Sequence, residues 1–157
     1  MCLLSMKNKP IKCRVNLKCY KVFKVRYGFL DRKKDEFYSP FNGKKVPKIN
    51  DVINGVVFEA ECNNAAMSIP VYAHGDLYEV DEGYIHTFAN IEDAKASIIS
   101  KYFPHLHIGD CEAYEVWECV IPKGTDYYRG ICPVSFNQYQ GFASKKIKIV
   151  KQIILDW

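Results

Sequence analysis

Only one stretch of this chain carries a helical stripe. Ile91, Ala94, Ile98 and Tyr102 recur at three- and four-residue spacing, with Ile99 beside them. Asn90 stands where an N-cap is needed, Glu92 and Asp93 put negative charge in the first turn, and Pro104 stops the run. Together they predict one helix over about 91–103. Elsewhere the apolar residues fall in short β-branched and aromatic runs between turn formers. Strands are predicted over 17–27, 52–62, 83–88, 111–121 and 127–132, with shorter pieces at 37–41, 69–72 and 77–80. Residues 141–155 read as a last strand pair or one bent strand. One helix among so many strands excludes the alternation of an α/β fold. The expected class is α+β: a mostly antiparallel, strongly bent sheet of seven or eight strands with the helix on one face.

The chain has 157 residues, the size of one domain. With 48% hydrophobic and 25% charged residues it excludes a disordered tail and has enough apolar material for a core. Residues 11–157 are expected to form a single globular domain, and residues 1–10 to be poorly ordered. No uncharged run approaches the ~20 residues of a membrane-spanning helix, so no membrane partner is expected. The start Met1-Cys2-Leu3-Leu4-Ser5-Met6 lacks the layout of a signal peptide, because its apolar stretch is short and the positive charges follow it. The seven cysteines, at 2, 13, 19, 62, 111, 119 and 132, include no C-x-x-C pair. An odd count without that spacing argues for free thiols and a reducing, cytoplasmic compartment.

Charge is unevenly spread. Residues 1–48 carry fourteen Lys/Arg against three Asp/Glu, and residues 49–122 carry two against thirteen. Residues 123–157 carry six against two, so the total is only +4. A basic early strand beside acidic later ones would neutralise itself across the ladder, through acids such as Glu112, Glu115 and Glu118. No binding to duplex nucleic acid is therefore expected, although a smaller basic pocket for a phosphate remains open.

The residues that could carry chemistry form no specific motif. His105-x-His107 with Asp110 and Cys111 has metal-ligand types but sits between Pro104 and Gly109, as a polar loop would. Glu59-x-Glu61 puts two carboxylates on one strand face, as any solvent-facing strand can. There is no phosphate-cradling glycine loop, nucleophile elbow or Ser-His-Asp order. No catalytic residue, metal or cofactor is expected. The aromatics are more informative, because several lie beside a cation or hydroxyl near turns: Tyr38-Ser39, Tyr127-Tyr128-Arg129 and Phe142-Ala143-Ser144-Lys145. Tyrosine offers a flat face for a base, and Arg and Lys hold phosphate. The candidate ligand-binding residues are Tyr38, Ser39, His86, Tyr127, Arg129, Ser144 and Lys145. The bland alternative is that the tyrosines rim a small β core.

Four segments together carry a resemblance: Tyr38-Ser39-Pro40-Phe41; Gly83-Tyr84-Ile85-His86-Thr87-Phe88 with Asp93-Ala94; Val116 to Gly124; and Gly141-Phe142-Ala143-Ser144. In this order they resemble small phage-encoded accessory proteins of unassigned function, over about residues 18–150. The resemblance implies a viral protein acting in the host cytoplasm against host defence. Sequestration of a small phosphorylated or nucleotide-like signalling ligand, without catalysis, is the role it makes plausible. A protein-binding inhibitor of a host defence protein, using an edge strand and a Tyr-rich patch, is the alternative, and a homo-oligomer is open under either. A second resemblance is to ADP-ribosyltransferases acting on NAD, through the types and order of Arg26, Ser39 and Glu61. That family's Ser-Thr-Ser run is absent here, and Glu61 comes early in the chain.

Overall fold

The computed structural model describes residues 3–5, 7, 9–28, 36–38, 45–46, 57–59, 69–70, 78–80, 84–99, 112–134 and 137–155. In chain order the first strands are β1 (Leu3–Ser5), β2 (Ile11–Lys12), β3 (Leu17–Arg26), β4 (Glu36–Tyr38) and β5 (Lys45–Val46). Next come β6 (Val57–Glu59), β7 (Ile69–Pro70), β8 (Tyr78–Val80), β9 (Ile85–Phe88) and the helix α1 (Ile91–Ile99). Last are β10 (Glu112–Ile121), β11 (Asp126–Val134), β12 (Asn137–Ser144) and β13 (Lys146–Ile153). Among the described residues these strands make one antiparallel sheet, ordered β6-β13-β10-β3-β9-β12-β11-β1-β8-β7. β2 pairs with β11, and β4 joins β3 to β5.

The fold class is α+β, as the sequence predicts. The thirteen strands exceed the seven or eight expected; β1, β2 and β5, which no expected strand covers, are only two or three residues long. Alternation cannot be read over so few positions. The expectation for residues 1–10 is corrected at Leu3–Ser5, which form β1 between β11 and β8. The reason is burial: Leu3 and Leu4 are both removed from solvent, and each such side chain stabilises by ~1.5–3 kcal/mol. The last stretch resolves into two strands, with Lys145 alone between β12 and β13.

The long strands form where the sequence alternates. β3 and β10 pair over their whole length, from Leu17↔Ile121 to Arg26↔Glu112. Cross-strand partners point to one face, so each strand feeds two cores. On one face Val22, Val116, Phe88, Tyr128 and Ala143 pack with Leu3 and Ala94 of α1. On the other, Cys19, Phe23, Val25, Cys119 and Ile121 pack with Phe142, Ile147 and Ile149. Glu118 of β10 lies 3.9 Å from Lys18 of β3 and 4.0 Å from Lys151 of β13, an ion pair to each neighbouring strand. Glu115 is buried and accepts hydrogen bonds from Tyr27 (3.1 Å) and the Trp117 indole (2.9 Å). Glu112 faces Arg26 in register.

The helix starts as its cap residue dictates. Asn90 Oδ1 accepts the Asp93 N–H at 2.8 Å, and Asn90 Nδ2 donates to Asp93 Oδ2 at 3.0 Å. The same Asp93 oxygen accepts the Gln140 N–H at 3.0 Å, while Ala89 N–H donates to the Gln140 carbonyl. The first turn of α1 is thereby tied to β12. The predicted continuation to 103 and the Pro104 stop lie outside the described residues.

Candidate ligand cleft

β11 has β12 along one side and the N-terminal chain along the other, in two separate places. β1 meets it through Leu4↔Ile131 and Ser5↔Gly130, and β2 through Tyr127↔Ile11 and Asp126↔Lys12. Between these contacts the described residues Lys7, Lys9 and Pro10 are not in strand, while only Tyr128 and Arg129 span the same gap on β11. Pro10, which has no N–H to donate, helps to end the pairing there. The result is a cleft of about 380 Å³ between β11 and the departing chain. Leu4, Ile11 and Ile131 make its apolar walls, and Lys7, Lys9 and Arg129 bring cations to it.

The register explains why these side chains meet. Ile131 faces Leu4 on one side and Gln140 on the other, and Arg129 lies two residues before Ile131, so all four share one sheet face. Gln140, which also lines the cleft, is the β12 residue held by Asp93 at the start of α1. Gly130 permits the close approach of β1. A Cβ there would run into the Leu4 carbonyl, so no larger residue fits without moving the strand.

The cleft is electropositive. Lys7, Lys9 and Arg129 are exposed, and none of these side chains makes a hydrogen bond or ion pair among the described residues. Among the described residues that line it there is no carboxylate. The nearest acid along β11, Asp126, is 3.3 Å from Lys12. Three cations above an aliphatic floor attract an anion that carries an apolar part.

Of the residues singled out from sequence, Arg129 lines the cleft. Tyr127 lies on the same face of β11 but is half-buried, its ring edge-on to Phe142 at 5.9 Å. Ser144 is its register partner, so the two segments are neighbours. Ser144 is nonetheless fully buried, with its hydroxyl donating to the Lys146 carbonyl at 3.2 Å. Lys145, whose N–H donates to the Asp126 carbonyl at 3.3 Å, forms the link from β12 to β13 rather than a wall of the cleft. His86 is buried on the opposite face, in register with Ala143. Its carbonyl accepts the buried Lys21 ammonium at 2.9 Å. Tyr38 lies on β4, with its hydroxyl donating to Glu36 at 2.7 Å. Ser39, Glu61, His105, His107, Asp110 and Cys111 lie outside the described residues.

The tyrosines behave largely as the bland alternative has it. Tyr84, Tyr128 and Tyr139 are buried in the helix-side core, and the Tyr84–Tyr128 pair is edge-on at 5.6 Å. Burial pushes the Tyr128 phenol above its ordinary pKa, with Tyr84 and Asp126 adding to the shift. Sequence reasoning passed over Lys7, Lys9, Ile11 and Leu4 because their segment was expected to be loose. The available signal was the spacing Lys7-x-Lys9-Pro10-Ile11 behind two leucines, which puts cations and apolar residues on one short stretch. No protein family, curated protein or solved structure matches the chain. Among the described residues no helix is long and apolar enough to cross a membrane.

Proposed function

We propose that the protein binds a small phosphorylated or nucleotide-like ligand in the cleft and holds it without turning it over. The observation that carries this reading is the convergence of Lys7, Lys9 and Arg129 on an aliphatic floor. A phosphate there gains charge-assisted hydrogen bonds of roughly 1.5–3 kcal/mol each. The volume, about 380 Å³, is near the lower end of the roughly 300–1,000 Å³ of ligand pockets and suits a mononucleotide better than a dinucleotide. The described lining residues offer cations beside apolar surface, which suits retention of an anionic ligand. Sequestration of a signalling nucleotide in a phage-infected host cell is the biological role that agrees with such a site. A strongly bent sheet belongs to the same reading. It is supported by β12 and β13, which lie four places apart in the ladder yet are separated by one residue.

The test is a thermal-shift and calorimetric screen with adenosine monophosphate, cyclic dinucleotides, ADP-ribose and NAD, followed by chromatography of the recovered compound. A ligand at about 100 times its dissociation constant stabilises the fold by roughly 2.7 kcal/mol. At ~2–4 °C per kcal/mol for a chain of this length, the melting temperature rises by roughly 5–10 °C. The expected result is such a shift, an unchanged compound, and loss of the shift in Arg129→Ala. Consumption of NAD would favour the transferase instead. The absence of a shift with every compound refutes the cleft as a nucleotide site.

A further inference from the structure

The strand that forms one wall of the cleft also carries the far end of the sheet. β8 pairs with β1 and β7, and β7 pairs with β8. Among the described residues, then, the β7–β8 ladder reaches the rest of the sheet through the three residues of β1. Leu3↔Val80, Leu4↔Glu79 and Ser5↔Tyr78 make one side of that bridge. Leu4↔Ile131 and Ser5↔Gly130 make the other. Lys7 and Lys9 follow β1 by two and four residues, and Arg129 precedes Gly130 on β11. An anion gripped by the two lysines and the arginine would tie the chain just after β1 to the strand on which β1 docks.

The geometry points to a ligand-set latch: occupancy of the cleft fixes β1 on β11, and β1 in turn holds the β7–β8 ribbon to the sheet. The inference rests on the cleft being the binding site. Its physical content is linkage. If undocking of β1 dismantles the cleft, a ligand that binds only the docked form lowers the undocked population by the factor 1 + [L]/Kd. At a hundredfold excess over Kd, that is about a hundredfold. A three-residue strand clamped mainly by two leucines and a glycine contact is the kind of short element that opens locally, ahead of long ladders such as β3–β10.

Hydrogen exchange of the full chain, read by mass spectrometry with and without adenosine monophosphate, tests the latch, with calorimetry run in parallel. The expected result is that bound adenosine monophosphate slows exchange in both residues 3–5 and residues 78–80, by up to about a hundredfold at a hundredfold excess, while β3 and β10 are unaffected. Gly130→Ala, which crowds β1 without touching a cation, should speed exchange at 78–80 in the absence of ligand. Lys9→Glu, at an exposed position, should keep the unliganded exchange pattern and lose the protection. Binding by calorimetry with exchange at 78–80 unchanged overturns the latch and leaves the binding site standing. No binding by calorimetry overturns both. Unaltered protection of 78–80 in a folded Gly130→Ala protein overturns the bridge on its own.

Discussion

Two glycines are required for opposite reasons, and substituting each separates the effects. Gly124 has φ of 88°, in the left-handed region, with open space where a Cβ would stand. It lies in the turn closed by Thr125 N–H donating to the Pro122 carbonyl at 3.1 Å, and its own N–H donates to the Cys13 carbonyl at 2.8 Å. An alanine there meets only the backbone cost of positive φ, ~1–2 kcal/mol, partly offset by the ~0.4–1 kcal/mol gained from a stiffer unfolded chain. Asparagine tolerates that region, so Gly124→Asn should be close to neutral. At Gly130 the obstacle is space, because the Leu4 carbonyl occupies the Cβ position and the side chain of Leu3 lies 3.2 Å away. Two responses are available. The strands shift to admit the methyl group, at the ~1–3 kcal/mol of an overpacked site. Alternatively β1 detaches and exposes two leucines, at ~1.5–3 kcal/mol each. The cheaper response sets the observed value, so Gly130→Ala should cost ~1–3 kcal/mol, or roughly 2–12 °C in melting temperature. Asparagine at 130 should cost more than alanine, the reverse of the order at 124. Urea or thermal unfolding of the four variants is the assay. If Gly130→Asn equals or exceeds Gly130→Ala in stability, β1 does not lie against β11 as the register requires.

The remaining expectations concern the thiols and the helix. Cys13, Cys19 and Cys119 are free and buried, so in the folded protein they should react with a thiol reagent far more slowly than in urea. Burial pushes the Cys19 thiol up to about 12 and the Cys119 thiol well above its ordinary value, outweighing the opposing effects of Thr87 on Cys19 and of Lys21 on both. Above pH ~9 the unfolded chain therefore loses thiol protons that the folded chain keeps. Stability should be constant below that pH with respect to these groups. It should then fall by at most about 1.4 kcal/mol per pH unit per thiol up to about pH 12, a loss that Cys19→Ala reduces by one thiol in alkaline unfolding curves. Asn90→Ala removes the cap of α1 and should destabilise by ~0.5–2 kcal/mol. Asp93→Ala should cost at least as much, because Asp93 also accepts the Gln140 N–H, and paired chemical denaturation curves would show the order.

What was legible in the sequence follows from the length over which a pattern repeats. β3 and β10 are ten residues each, and their alternation gave bounds within one residue of those observed. α1 was legible from its apolar stripe together with the Asn90 cap and the acidic first turn, and the structure uses that cap. Strands of two or three residues contain at most one period, so β4, β7 and β8 are legible only as short pieces between turn formers, and β1 and β2 are not legible at all. Their place in the sheet depends on partners more than a hundred residues away, Gly130 and Asp126 among them, and no local signal reports such distant pairing. The same limit acted on the site. Tyr127-Tyr128-Arg129 reads as one cluster from which Tyr127 and Arg129 are the candidates, and neighbouring residues of a strand face opposite ways. Arg129 therefore reaches the cleft, while the Tyr128 ring turns into the helix-side core against Tyr84.

The cleft itself exists because two short strands dock on one long one and the chain between them is too long for the gap. That arrangement puts cations where a ladder would otherwise have placed a third stretch of strand. On the proposed function it also makes binding and folding depend on the same few contacts. Shortening the loop by two residues would let β1 and β2 approach a continuous strand, close the cleft and strengthen the sheet. A site made this way trades ladder hydrogen bonds for a surface that can hold an anion. On this reasoning a variant lacking Asn8 and Lys9 should melt no lower than the parent chain while losing nucleotide-induced stabilisation. A stabilised variant that still bound adenosine monophosphate would place the anion site elsewhere on the protein.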